Sequence, residues 1–187
     1  MRFFPLETDR LILRRFTPAD LDATVAYQGL EEVARYCMWE PRSRERVREL
    51  IPRWIAMNGE GEASEGLQYA VERKADGQMI GDAVLMFTNR AARQGEIGYV
   101  FNPAYQGKGY ATEAMVAVME AGFEQVGLHR ICARCDARNI ASWRVMEKLG
   151  MRREAHLREH ALFKGEWDEE FIYATLENEW RARRSAH

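Results

Sequence analysis

The segment Glu96–Ala114, EIGYVFNPAYQGKGYATEA, decides how the rest of this chain is read. A strand ends near Phe101, a proline turn follows, and the loop Gln106-Gly107-Lys108-Gly109-Tyr110-Ala111 opens directly into a helix. Ala111, Ala114, Met115, Val118, Met119 and Phe123 share one apolar stripe of that helix. A glycine loop at a helix N-terminus presents unpaired backbone N–H groups and the positive end of the helix dipole, a ready site for a phosphate or pyrophosphate. A lone G-x-G would be read as a tight turn and nothing more. No G-K-[ST] closes the loop and no G-x-G-x-x-G is present, so neither a P-loop nor a dinucleotide fingerprint accounts for it.

Outward from this segment the periodicity changes twice. Toward the N-terminus, Leu67, Tyr69 and Val71 alternate with Gln68, Ala70 and Glu72. Asp76-Gly77 supplies a hairpin turn before Met79–Phe87, and Gly95–Phe101 completes an antiparallel meander. Earlier still, Arg10–Phe16 reads as a strand, followed by a helix that Thr17 caps and Pro18 opens. A second helix begins at Ser43 with Val47, Leu50, Ile51, Trp54 and Ile55 on one stripe, and Pro52 is expected to kink it. Between these helices, Tyr36–Pro41 reads as a loop. Toward the C-terminus the pattern is helix (Tyr110–Gln125), strand (Leu128–Cys135), helix (Ile140–Leu149), then two strands on either side of Lys164-Gly165. The expected fold is α/β of the α+β type, with a central mixed, mostly antiparallel, twisted sheet flanked by helices. Residues 1–180 read as one domain and residues 181–187 as a frayed basic tail.

The composition fits a single packed domain. Of 187 residues, 47% are hydrophobic and 30% charged, and 27 Lys and Arg against 29 Asp and Glu give a net charge of −2. With the charges interspersed, neither nucleic acid nor an anionic membrane is expected as partner. The N-terminal region carries no apolar run long enough for a signal peptide or a spanning helix, which makes the cytoplasm the expected compartment. Cys37, Cys132 and Cys135 are too few for a disulfide framework. Cys132 and Cys135 form a C-x-x-C, but on a strand residues three apart point to opposite faces, so no shared metal is expected.

The glycine loop matches the Q-x-x-G-x-A form of the acyl-CoA loop of the GNAT superfamily of acetyltransferases, and the order of elements resembles that fold. The phrase from Tyr105 to Ala114 is similar to the branch containing the ribosomal-protein N-terminal acetyltransferases. A second match, Asn139-Ile140-Ala141-Ser142 continuing through Lys148, Leu149, Gly150 and Met151, resembles the family's N-x-x-S stretch and the K-x-G-[FM] element behind it. The resemblance covers Glu7 to about Leu176. It implies that acetyl-CoA is the co-substrate, with no metal. The backbone of Tyr99, Val100 and Phe101 would pair with the pantetheine arm, and the N–H groups from Gln106 through Gly107, Lys108, Gly109, Tyr110 and Ala111 to Thr112 would hold the pyrophosphate. Lys108 reads either as an added charge for a phosphate or as a solvated lysine.

Asn139 sits at a helix N-cap, and an amide contact to the cofactor arm is compatible with that role. Ser142 is either a surface serine or, by resemblance, the hydroxyl near the thioester sulfur. Glu96, on the face opposite Ile97, is the leading candidate base, with a structural carboxylate as the other reading. Tyr36, Met38 and Trp39 are expected on the acceptor side, the alternative being plain core cover. The acceptor would be a protein N-terminal α-amino group or a small-molecule amine, since fold does not fix substrate. A non-catalytic acyl-CoA binding or sensing module remains the alternative function, and a homodimeric state is left open.

Overall fold

The computed structural model describes residues 3–61 and 64–185. One sheet of eight strands runs through it: β1 (Leu6–Glu7), β2 (Leu11–Arg14), β3 (Gly66–Arg73), β4 (Gln78–Asn89), β5 (Gln94–Phe101), β6 (Arg130–Asp136), β7 (Arg152–Phe163) and β8 (Glu166–Leu176), in the spatial order β1-β2-β3-β4-β5-β6-β8-β7. All neighbours are antiparallel except β5 and β6, which run parallel because α4 (Tyr110–Glu120) carries the chain back between them. The other helices are α1 (Leu21–Gln28), α2 (Glu31–Ala34), α3 (Arg44–Ala56), α5 (Ile140–Lys148) and α6 (Glu177–Ser185).

Each face of the sheet has its own core. On one face Leu67, Tyr69, Leu85, Ile97, Ile131 and Ala133 pack with Ala114, Met115, Val118 and Met119 of α4 and Met146 of α5. On the other, Val47, Ile51 and Trp54 of α3 meet Phe16, Tyr27, Ala70 and Met79. The stripe expected on α3 is the one that packs, and Ser43 caps it by accepting from the Arg46 N–H at 3.2 Å. The helix continues through Pro52 to Ala56. Thr17 and Asp20 form a capping box around a short 3-10 turn at Pro18–Asp20, which leads into α1.

Two features differ from the sequence expectation and a third goes beyond it. The helix from Tyr110 does not stay α to Gln125: after Glu120 it widens into a π turn over Ala121–Val126, which Gly127 ends at φ +76°. The place of the final strand, which the sequence pattern leaves open, is between β6 and β7. The basic segment from Arg181 is not frayed: through Ser185 it is the second half of α6, pinned where Trp180 is buried against Phe123. Arg181 pairs with Glu177 and Glu124, Arg184 with Glu120, and Arg183 donates to the Lys148 carbonyl at 2.8 Å. Ala186 and His187 of that segment lie outside the described residues.

Leu85 is at the centre of the larger core, fully buried and opposite both Leu67 and Ile97. Gly95 and Gly122 flank it so closely that an added Cβ would lie 3.1 and 3.2 Å from its methyl groups. Leu85→Ala is expected to cost about 2–5 kcal/mol of unfolding free energy, read as a lowered urea midpoint with an unchanged slope.

Candidate active site

The site begins where two strands part. β5 and β6 pair only from Gln94↔Arg130 to Ile97↔Ala133. Beyond that, β5 stays paired with β4 up to Phe101↔Gly81 and β6 stays paired with β8 up to Asp136↔Glu170. Each strand is held by its outer neighbour, and their inner edges, Gly98–Phe101 and Arg134–Asp136, face a gap. A cleft of about 450 Å³ occupies it. Its lining includes Tyr99, Val100 and Phe101 on one side and Asn139, Ala141 and Ser142 on the other. An open strand edge of this kind offers main-chain donors and acceptors to an extended ligand.

The glycine loop closes one end of the cleft. The first bond of α4 runs from the Glu113 N–H to the Gly109 carbonyl, which leaves the N–H groups of Tyr110, Ala111 and Thr112 without an intrahelical partner. Gly109 caps the helix at φ +82°, and Gly107, at φ +73°, has nothing within 4 Å of where a Cβ would be. The loop is held from outside. Arg10 donates to the Lys108 carbonyl at 3.0 Å and to Glu113 at 2.6 Å, its guanidinium lies 4.5 Å from the Tyr110 ring centroid, and Thr8 donates to the other Glu113 oxygen at 2.6 Å. These partners hold the Glu113 carboxyl below its usual range despite the opposing effect of partial burial. Nothing local in the sequence marks this latch, whose partners lie about a hundred residues apart.

Gln106 is not a donor to the cleft in the way expected, and Lys108 takes the solvated reading. The Gln106 N–H is bonded to the Pro103 carbonyl at 3.1 Å and its side-chain amide to the Phe101 carbonyl at 3.1 Å, so Gln106 shapes the loop while still lining the cleft. The Lys108 ammonium turns back to the Ala104 carbonyl at 3.1 Å. Charge comes instead from Arg144 and Lys148, one turn apart on α5, which both line the cleft.

Asn139 caps α5, its side-chain oxygen accepting from the Ser142 N–H at 3.2 Å. Ser142 has a partner that the sequence reading missed. The Tyr99 hydroxyl donates to the Ser142 carbonyl at 2.9 Å and stands 3.1 Å from the Ser142 hydroxyl. Since Tyr99 has one proton to give, the serine is the donor in the second contact. Burial pushes the Tyr99 phenol up, beyond the range in which it could ionise near neutrality, so it remains a fixed donor. The role that the sequence resemblance implies for Tyr99 involves its backbone alone.

Glu96 stands on the opposite face of β5 from Tyr99 and Ile97, beside Cys132, whose thiol donates to it at 3.7 Å. Burial raises its pKa above the ordinary value of 4.5, with Arg134 opposing and Glu170 adding to the rise. Glu96 and Ser142 are therefore not neighbours on one surface. They occupy the two faces of the sheet at the point where it splits. Cys135 packs in the larger core and Cys132 faces Glu96, so the C-x-x-C points both ways.

On the Glu96 face the cleft is bounded by α2 and the turn after it. Tyr36 lines it, joined by Val33 and Cys37. Met38 and Trp39 do not line it: Met38 is 70% exposed, and Trp39 lies under the Arg42 guanidinium at 4.3 Å.

Gly109→Val would force a β-branched residue into a left-handed conformation at the mouth of the anion site. Its affinity for coenzyme A is expected to fall at least about tenfold, roughly 1.4 kcal/mol, measured by calorimetry on variant protein shown to be folded.

Comparison with known proteins agrees with this geometry. Residues 10–152 match the acetyltransferase (GNAT) domain. The chain is 35% identical to the uncharacterized N-acetyltransferase YnaD of Bacillus subtilis, over 94% of this chain and 98% of that one. A crystal structure of a GNAT-family acetyltransferase from Bacillus anthracis, 32% identical, superposes with a TM-score of 0.83 over 94% of this chain and 99% of the other. A Vibrio cholerae spermidine N-acetyltransferase, crystallised with CoA and spermine, shares the fold at 22% identity with a TM-score of 0.80, over 93% and 99% of the two chains. The split sheet with a glycine-capped helix at its mouth is that of an acyltransferase, and the chain belongs to the GNAT family of N-acetyltransferases.

Proposed function

We propose that this enzyme transfers the acetyl group of acetyl-CoA directly to a primary amine. The observation that carries the reading is the two-sided cleft. An open strand edge and free helix N–H groups line one side, Tyr36 and Cys37 line the other, and the half-buried Glu96 carboxylate stands just outside the lining, where β5 and β6 are still paired. Acetyl-CoA supplies a thioester whose acyl carbon forms the new C–N bond as the C–S bond breaks. The Tyr99–Phe101 edge and the N–H groups of Tyr110, Ala111 and Thr112 hold and orient that co-substrate, with Arg144 and Lys148 adding positive charge. Glu96 takes the proton of the attacking amine, directly or through one water, and the Ser142 hydroxyl, turned from Tyr99, donates a hydrogen bond to the departing thiolate, which takes its proton from solvent. No protein nucleophile is needed.

The acceptor enters from the Tyr36 and Cys37 side. The sequence resemblance to the ribosomal-protein branch points to a protein α-amino group, while the Vibrio cholerae neighbour holds spermine. A panel of N-terminal peptides, polyamines and amino acids, followed by release of free thiol from acetyl-CoA, separates these classes. Intact acetyl-CoA binding with no thiol release from any amine would instead leave a binding module.

Ser142→Ala is expected to lower kcat with little change in acetyl-CoA affinity. The reverse pattern would make the serine a binding or capping residue.

Glu96 works as a base only when ionised, and its pKa is raised, so kcat/KM should climb with pH through a value above the ordinary 4.5 of a glutamate. Glu96→Gln keeps the shape but cannot take the proton. The variant should be slow near neutrality and recover as the pH approaches the amine's own pKa, about 8 for an α-amino group and about 10.4 for a lysine-type amine. Superimposable pH profiles for the two proteins would reduce Glu96 to a structural carboxylate.

A further inference from the structure

Among the described residues three buried acids have no part in the mechanism, Asp20, Asp82 and Asp168; Asp20 is paired with Arg14 and Asp168 stands beside His160. Asp82, on β4, is 7% exposed and directly opposite Val100, a lining residue of the cleft. Its carboxylate accepts from three neutral side chains: the Tyr27 hydroxyl at 2.5 Å, the Gln28 amide at 2.7 Å and the Gln68 amide at 3.2 Å. All three are buried as well. Desolvation of this kind costs several kcal/mol unless the hydrogen bonds repay it, and a position that needed only packing would be served by an apolar side chain. The network also leads somewhere. The Gln28 side-chain oxygen accepts from the Arg42 guanidinium at 2.5 Å, and the Gln28 carbonyl accepts from the Arg42 N–H at 2.9 Å. Arg42 in turn lies over Trp39 at 4.3 Å and reaches Trp54 of α3 at 5.6 Å. Residues 35–42 are thus tied at their far end, through Arg42 and Gln28, to a carboxylate rooted in the sheet beside the cleft, while the Cys37 N–H bonds the Ala34 carbonyl at their near end.

We propose that Asp82 is a positioning residue for the acceptor: through Gln28 and Arg42 it fixes the segment that carries Tyr36 and Cys37 against the cleft, so that it governs binding of the amine and not of the co-substrate. The inference rests on the acetyl-transfer reading for the identity of that end of the cleft, but the tether itself does not. Asp82 touches no reacting group. Asp82→Ala removes the anchor. Asp82→Asn keeps most of it, because its side-chain oxygen can still accept from Tyr27 and Gln28 while the Gln68 amide turns to accept from the new NH2 group.

Two measurements on the full chain test this. Hydrogen exchange of the Cys37 and Arg42 amides should quicken at least about tenfold in Asp82→Ala, with the amides of β5 and α4 unchanged and Asp82→Asn close to wild type. With an amine turned over by the wild type, Asp82→Ala should raise the acceptor KM about tenfold while kcat and acetyl-CoA affinity stay within about threefold. Arg42→Gln, at the half-buried outer end of the tether, should give the same pattern and serves if Asp82→Ala does not fold. Unchanged exchange at Cys37 and Arg42, or a uniform rise across the whole chain, would overturn the tether. Local loosening with an unchanged acceptor KM would overturn the role in acceptor binding. Absence of any amine turnover by the wild type would count against the acetyl-transfer reading alone, the exchange result standing apart from it.

Discussion

The parting of β5 from β6 is the constraint on which the rest of the molecule depends. Parallel pairing needs a crossover, and α4 with its π extension supplies one, packed by Met115, Val118 and Met119 onto the sheet it spans. The pairing lasts for four residues of each strand and then yields to the antiparallel ladders on either side. A gap between two such strands would be unstable if nothing filled it, since each edge leaves backbone groups unpaired. Here the side chain of Tyr99 bridges part of the opening to α5 through Ser142, and the remainder forms the cleft. Opening of the sheet, placement of the serine and exposure of the strand edge are one arrangement rather than three.

The glycine-capped helix start depends on the same arrangement from the other end. α4 begins where β5 ends, so its free N–H groups necessarily open at the mouth of the gap. The left-handed geometry at Gly109 is local, but its rigidity is not: Arg10 and Thr8, from the turn between the first two strands, hold Glu113 and the Lys108 carbonyl. An anion site of backbone groups is only as well formed as the loop is immobile, and here the second strand's entry supplies the immobility.

Much of this was legible in the sequence because it is local. The Tyr105–Ala114 phrase, the period-two runs of β3–β5, the stripe of α3 and the caps at Ser43 and Asn139 each depend on residues within a few positions of one another. What escaped depends on partners far apart in the chain. Nothing near Tyr99 announces that its hydroxyl meets Ser142, nothing near Glu113 announces Arg10, and nothing near Asp82 announces Tyr27 and Gln28. The insertion of β8 between β6 and β7 escaped for the same reason: the Lys164-Gly165 turn fixes the hairpin but not which of its strands faces the sheet. Arg181–Ser185 reads as a frayed tail in the sequence because, apart from Glu177, its pairing partners, Glu120 and Glu124, lie far away in the chain. Met38 and Trp39 were misplaced because hydrophobic residues in a loop do not reveal which of them turns inward.

The placement of Glu96 and Ser142 on opposite faces of one sheet has a kinetic consequence. On the acetyl-transfer reading, the amine approaches the acyl carbon from the face of the sheet opposite the one on which Ser142 meets the sulfur, so that neither need displace the other. Both can be resident at once, and the enzyme has no need to hold the acyl group itself between two visits. Initial-velocity lines for such an enzyme intersect rather than run parallel, and the two products can depart in either order, each on the side from which its parent arrived.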